Sequence, residues 1–340
     1  MPAKPKILVT GGLGFIGSHT VVELVAAGFE PIVVDNLNNS DPVILKRLQK
    51  IVGQELKHYL IDCCDKEKLT QVFQSEMPLA GSIHFAAYKA VGESVEFPVK
   101  YYKNNLVSLF NLIECHQEFD IQPLLFSSSC TVYGDSDELP VTELTPLKPA
   151  ASPYGFTKQV CEQLLIDVTN TKSIRALALR YFNPVGAHDT AEIGELPIGI
   201  PNNLVPYITQ TAAGIRPILR IFGNDYPTRD GTCIRDFIHV VDLAKAHVAA
   251  LNKLLNDSSV FFDVYNIGTG NGHTVLETVK AFEKVTGVKL NYEFANRRAG
   301  DVMSMYADTT KAEKQLNWKA ERDLNNMMLT AWQWQKNIPS

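Results

Sequence analysis

The sequence predicts an α/β protein: a doubly wound parallel sheet with helices on both faces, followed by a second, smaller mixed α/β domain. Through the first half, short β-branched runs alternate with helical patterns, the order that a parallel sheet with covering helices requires. After Arg180 that rhythm breaks into a stretch rich in Pro, Gly and Asn, from YFNPVGAHDT through GELPIGIPNN to FGNDYPTRDG, which inside a compact protein marks a binding region. A length of 340 residues suits two domains better than one small core.

The strands expected in order are Lys6 to Thr10, Pro31 to Asp35, His58 to Asp62, Ser82 to Ala86, Pro123 to Ser128 and Ile174 to Arg180, with helices between them. Right-handed crossovers then put the ligand site at the carboxyl ends of the strands. Within 237–266, VVDLAKAHVAALNKLL reads as a helix and DVYNIG as a strand, and this segment is expected to rejoin the first sheet. The expected division is therefore 1–184, joined by 237–266, and the remainder of 185–340.

TGGLGFIGSHT follows the first strand and opens an amphipathic helix ending near Gly28. The spacing of Gly11, Gly14 and Gly17 permits a tight turn, close approach of backbone to a pyrophosphate, and close helix packing. Strand, glycine loop, helix and a second strand ending in Asp35 occur in the order of a dinucleotide site. Asp35 stands where a carboxylate accepts bonds from an adenosine ribose and repels a 2'-phosphate, which favours NAD over NADP.

In SPYGFTK, Ser152 is a good N-cap, Pro153 suits the first helical position, and the stripe Val160, Leu164, Leu165 and Val168 continues a helix. Tyr154 and Lys158 then share one face. PLLFSSS places Ser129 at a strand's carboxyl end. A serine that hydrogen-bonds a substrate hydroxyl, a tyrosine that removes its proton and a nearby lysine make a hydride-transfer site. Tyrosine has a free pKa near ~10, so it needs a neighbouring cation to form phenolate at neutral pH; Lys158 and a positive nicotinamide are the expected sources.

Composition narrows the partners. With 45% hydrophobic and 20% charged residues and a net charge of -5, the chain is an ordinary globular one, and its acidity argues against nucleic-acid or membrane-surface partners. It shows no signal-peptide core and no apolar run near the roughly 18 residues of a membrane span, so a cytoplasmic location is expected. The six cysteines form no C-x-x-C pair and the eight histidines no H-x-x-x-H, so free thiols and no metal are expected.

The glycine motif, the serine run and Y-x-x-x-K together resemble the extended short-chain dehydrogenase/reductase family. The segments HFAAYKAVGES, YYKNNL, SPYG, LRYFNPVGAH, GIPNNL, IFGNDYPTRDGTCIRDFIHV and RRAGD are similar to those of its UDP-glucose 4-epimerases. The likeness covers essentially the whole chain. It implies a tightly bound, regenerated NAD held by Gly11, Gly14, Phe15, Ile16, Gly17, Asp35, Asn36, Leu37, Asn38, Asn39, Ser40, Asp62, Cys63, Phe85, Ala86, Ala87, Lys89, Asn104 and Phe182, with Tyr154 and Lys158. It implies catalysis by Ser129, Tyr154 and Lys158. A UDP-sugar would be held by Ser129, Tyr154, Asn183, Asn203, Leu204, Arg220, Ile221, Phe222, Arg235, Arg298, Asp301 and Met305. The implied reaction is reversible epimerisation of UDP-galactose and UDP-glucose at carbon 4 through a 4-keto intermediate, in a homodimer.

Arg235 and Arg298 make chemical sense as diphosphate ligands, since guanidinium offers several donors to phosphate oxygens. In related 4,6-dehydratases acidic residues closely follow the serine; here Cys130 and Thr131 do, so elimination lacks its proton carriers. Cys130, where alanine is common among the epimerases, reads as packing, as do Trp332 and Trp334. Met305 stands where family members vary between tyrosine and smaller residues, which leaves N-acetylhexosamines open as substrates. The alternatives are an N-acetylhexosamine or uronate 4-epimerase, or a nonenzymatic NAD-sensing regulator that would not need Ser129, Tyr154 and Lys158 together.

Overall fold

The computed structural model describes residues 3–298 and 301–338. In the first half β1 (Lys6–Thr10), α1 (Phe15–Ala26), β2 (Glu30–Asp35), α2 (Val43–Val52), β3 (Lys57–Leu60), α3 (Lys66–Glu76), β4 (Gly81–His84), α4 (Val91–Glu96), α5 (Pro98–Glu118), β5 (Pro123–Ser129), α6 (Pro153–Asn170) and β6 (Arg175–Tyr181) alternate strand with helix. There follow β7 (Asn183–Val185), α7 (Leu204–Ala212), β8 (Leu219–Phe222), β9 (Ile234–His239), α8 (Val240–Asn256), β10 (Phe262–Ile267), β11 (Gly272–Thr274) and α9 (Val275–Thr286). The chain closes with β12 (Tyr292–Ala295), β13 (Ser304–Met305), α10 (Thr310–Leu316) and α11 (Leu324–Asn337).

Seven strands form one parallel sheet in the order β10-β6-β5-β4-β1-β2-β3. Successive residues of a strand point to opposite faces, so Ile7 and Val9 enter one core with Leu24, Val33 and Leu251, while Leu8 enters the other with Phe73, Leu112 and Leu165. All seven residues of β5 and all seven of β6 are buried, which is why these strands are apolar without alternation. Truncating one of these leucines to alanine costs about 2–5 kcal/mol.

From β1 the chain moves to β2 and β3 at one edge and then returns to place β4 on the other side of β1. The connections leaving β1 and β4 therefore diverge, and a crevice opens at their carboxyl ends. The sequence extends the third and fourth strands to Asp62 and Ala86; they end at Leu60 and His84. Asp62 instead accepts the Cys64 N–H at 2.8 Å in a side-chain-closed turn. The corrected ends put Asp62, Cys63, Phe85 and Ala86 in the crevice loops.

β10 pairs with β6 from Phe262↔Ala176 to Ile267↔Tyr181, and α8 packs on α1, so these two elements extend the large sheet. Phe237 to His239, expected in the same sheet, differ: they pair with β7. β9 is the hub of a four-stranded sheet with β7, β11 and β13, while β8 and β12 form a parallel pair. A separate core of Val205, Ile208, Ile221, Phe282 and Met328 lies among α7, α9 and α11, and Trp332 packs on it. Trp334 belongs to the large-sheet core and donates Nε1–H to the Glu195 carbonyl at 2.9 Å. Among the described residues, no helix is long and apolar enough to cross a membrane. All six cysteines are free thiols.

Candidate active site

The glycine loop after β1 is a cradle that side chains would fill. Gly11 has φ +70°, and a Cβ there would lie 2.8 Å from the Ala86 nitrogen; one on Gly17 would lie 2.2 Å from the Gly11 carbonyl oxygen. Gly14 caps α1 with no side chain over its first turn, so that helix start faces the crevice with free donors. Asp35, buried at the end of β2, accepts Leu13 N–H at 3.0 Å, Leu37 N–H at 2.9 Å and Ser40 Oγ–H at 2.7 Å. The carboxylate thus locks the glycine loop to the loop after β2.

Gly11, Gly14, Asp35, Asn36, Asn38, Asn39, Ser40, Asp62, Cys63, Phe85, Ala86, Ala87 and Asn104 line one cleft. Its wall also includes Val34, Ile61, Tyr88 and Ser108, of which only Tyr88, within HFAAYKAVGES, belongs to a motif segment singled out in the sequence. The open cradle, the uncapped helix start and the ribose-side carboxylate fit a dinucleotide. Several expected contacts have side chains outside this lining. Ile16 and Leu37 pack against the large-sheet core, Leu37 with φ 60°, and Phe15 stands edge-on to His19. Phe182 is buried with Val132, Tyr133 and Met305. Lys89 pairs with Glu195 at 2.9 Å, and its ammonium lies 5.9 Å from the Phe15 ring centroid.

At the next strand ends the hydroxyl and amine groups converge. Ser129 ends β5, and its Oγ accepts Thr131 N–H at 3.2 Å, capping the short turn Cys130–Tyr133. Ser152 caps α6 by accepting Gly155 N–H at 3.2 Å, with Pro153 in the first turn, which places Tyr154 near Ser129 in the first turn of the helix. Lys158, 3% exposed, donates to the Ser127 carbonyl at 2.7 Å and lies over the Phe126 ring at 4.8 Å. Its ammonium is 5.9 Å from the Tyr154 ring centroid.

The electrostatics correct one expectation. Burial pushes the Tyr154 phenol up to about 12, although the nearby Ser129 hydroxyl pulls the other way. Burial also brings Lys158 down to about 8. Burial thus opposes the phenolate, which a cation bound beside Tyr154 would favour. Cys130 is half-buried, and burial raises its thiol to about 12, so it is a neutral neighbour. The nearest carboxylate on α6, Glu162, is held by Arg180 at 2.7 Å and by Ser128.

The expected sugar-nucleotide residues divide into two groups. Met305 on β13 lies opposite Arg235 on β9, and Asp301 joins Arg235 (3.6 Å) to Arg298 (2.6 Å); Phe222 is exposed with the Arg298 guanidinium 5.9 Å from its ring centroid. Ala299 and Gly300 of the RRAGD segment lie outside the described residues. Asn203 starts α7 and donates to Glu195 at 2.6 Å, and Asn183 lies on β7, half-buried. Ile221 and Leu204 turn away. β8 alternates, sending Leu219 and Ile221 into the core and Arg220 and Phe222 outward, so Ile221 is 1% exposed and Arg220 is paired with Glu293. Leu204 packs at the rim of the same core.

Comparison with known proteins covers the whole arrangement. A family model described as GDP-mannose 4,6 dehydratase matches residues 8–330. The UDP-glucose 4-epimerase of Bacillus subtilis (strain 168) is 51% identical over 332 residues, spanning 97% of this chain and 97% of its own. That of Drosophila melanogaster is 49% identical over 345 residues, spanning 99% and 98%. The crystal structure of UDP-glucose 4-epimerase from Bifidobacterium longum, in complex with NAD+ and UDP, superposes with a TM-score of 0.94 at 46% identity over 98% of this chain and 99% of that one.

Proposed function

This chain belongs to the family that the GDP-mannose 4,6 dehydratase model describes and, within it, to the UDP-glucose 4-epimerases; from that membership we propose how its own residues carry the reaction. It is an NAD-dependent isomerase that interconverts UDP-galactose and UDP-glucose at carbon 4. When bound in the cleft of Gly11, Gly14 and Asp35, NAD would supply reversible hydride acceptance at carbon 4, through a 4-keto sugar.

Tyr154 takes the proton of the 4-hydroxyl and gives it back, and Ser129, beside it at the end of β5, orients the reacting oxygen. Lys158, fixed by the Ser127 carbonyl, holds positive charge beside the tyrosine. Gly11, Gly14, Asp35 and the loops of Asp62 and Phe85 hold the cofactor. Arg235 and Arg298, with Asp301 between them, receive the diphosphate end, and Asn183 and Phe222 complete that side. Anchoring the nucleotide while the hexose turns lets one tyrosine serve both faces. The observation that carries this reading is the convergence of Ser129 at the end of β5 with Tyr154 and Lys158 on α6, while Glu162, the next carboxylate along that helix face, is engaged by Arg180 and Ser128. UDP-galactose should convert to UDP-glucose in protein that retains nucleotide, without added NAD; failure to convert would overturn the assignment.

The division of labour follows the sheets: 1–184 with α8 and β10 for the cofactor, the rest of 185–340 for the UDP-sugar. Met305, 4% exposed beside Phe182, takes a bulk intermediate between the small and aromatic residues of relatives, so N-acetylhexosamines remain candidate substrates. We take the working form to be a homodimer. Val91, Val95, Phe97, Val99, Phe110 and Phe156 are exposed on α4, α5 and α6, a larger run of apolar side chains than a monomer surface usually keeps. Six free thiols fit a reducing compartment, the cytoplasm.

A further inference from the structure

Tyr154, Lys158 and Glu162 follow one another at four-residue intervals along α6, so the face that carries the proton chemistry continues into a buried carboxylate. Arg180 on β6 donates to both oxygens of Glu162, Nε–H at 3.0 Å and Nη2–H at 2.7 Å, and Ser128 Oγ–H donates to one of them. Ser128 and Arg180 are partners in the β5–β6 register, and Ser128 lies between Ser127, whose carbonyl holds Lys158, and Ser129, which stands near Tyr154.

We propose that Glu162 is a positioning residue for hydride transfer: its carboxylate ties the ends of β5 and β6 to the helix face of Tyr154 and Lys158 and provides the anion that faces the lysine. The proposal rests on the roles assigned above to Ser129, Tyr154 and Lys158. A buried ion pair is weak evidence of stabilisation by itself, because two desolvated charges cost about as much as their attraction returns. Its place here has another consequence. On α6, Lys158 faces Tyr154, Cys161 and Glu162. Burial keeps Cys161 up at about 12 and Tyr154 at about 12, both uncharged near neutral pH. On β4, burial holds His84 down to about 3, and on β6 burial holds Tyr181 well up, so both are neutral too. From β5 the lysine meets only the Ser127 carbonyl and the Phe126 ring. Glu162 is the carboxylate one turn beyond Lys158 on the same helix face, held from behind by Arg180.

Replacing Glu162 by Gln keeps the shape, removes the anion and leaves the Arg180 cation uncompensated. Both Tyr154 and Lys158 should then lose protons more readily. In the NAD-bound enzyme, both limbs of the pH–rate profile for UDP-galactose should move to lower pH by about one unit, with kcat at about pH 7 down about twofold and KM and retained NAD little changed. Should the unpaired arginine prevent folding, the double variant Glu162→Gln/Arg180→Met removes both charges; its basic limb should still move down, by a smaller step. Wild-type limbs in either folded variant, with only a lower melting temperature, would make Glu162 structural and overturn the proposal. The wild-type enzyme's own turnover reports separately on the assigned reaction.

Discussion

Tyr154 is the residue on which the chemistry turns, and Phe is the substitution that isolates its hydroxyl. Tyr154→Phe should lower kcat by about 10²–10⁴-fold while leaving NAD bound, as read by turnover and by nucleotide released on denaturation; unchanged turnover would remove the tyrosine from its role. Lys158 makes a second prediction with the opposite sign for stability. Its charge is buried at a cost, shown by its descent to about 8 through burial. A base whose pKa falls on folding binds fewer protons in the native state than in the unfolded state between about 8 and the ordinary 10.5, so its unfavourable contribution is full below about pH 8 and fades as pH rises through that window. Lys158→Met should therefore abolish turnover yet stabilise the fold at neutral pH by about 1–3 kcal/mol, a gain that shrinks between pH 8 and 10 in denaturant titrations. The sequence showed the Tyr154–Lys158 face because helix spacing is local. It did not show that desolvation dominates both groups, because burial depends on β4, β5 and β6, which are distant in the chain.

Among the elements, the glycine loop and α1 make the sharpest structural statement. A methyl on Gly17 would stand 2.2 Å from the Gly11 carbonyl oxygen, so either the loop or α1 must move. Gly17→Ala should empty the site of NAD on purification and lower the melting temperature, measured by absorbance and thermal unfolding; a variant with full NAD and wild-type stability would contradict the cradle. β1, β2, β5, β6 and α6 were legible in the sequence to within a residue or two because their buried faces and caps are written locally. α7 and β8 were not, because they sit inside the Pro- and Gly-rich stretch, where turn residues mask short periods. The same limit explains Ile221. Its side chain direction follows from the two-residue alternation of β8, which is visible only once Leu219 to Phe222 is known to be a strand. The segment 237–266 is expected to rejoin the first sheet from Phe237 onward, but Phe237 to His239 belong to β9, whose partners β7, β11 and β13 come from three separate parts of the chain, a non-local pairing no short pattern encodes.

At the scale of the molecule, the exposed apolar face on α4–α6 predicts association. Val95 is 63% and Val99 75% exposed, and Tyr102 stands edge-on to Phe156 at 6.2 Å, joining α5 to α6 in one surface. Val95→Asp with Val99→Asp should turn a dimer into a monomer in sedimentation analysis, since two desolvated carboxylates would face their symmetry mates; a wild-type dimer in that variant would place the interface elsewhere. The central claim also belongs at this scale, because the cofactor cleft and the proton-carrying face lie on the large sheet and Arg235 on the four-stranded one, and the proposed reaction needs all three to act on one sugar. If the same hydrogen leaves and returns to carbon 4 within one closed site, UDP-galactose carrying deuterium at carbon 4 should yield UDP-glucose with that deuterium retained, in ordinary water and without added NAD. Loss of the label to solvent would contradict the mechanism.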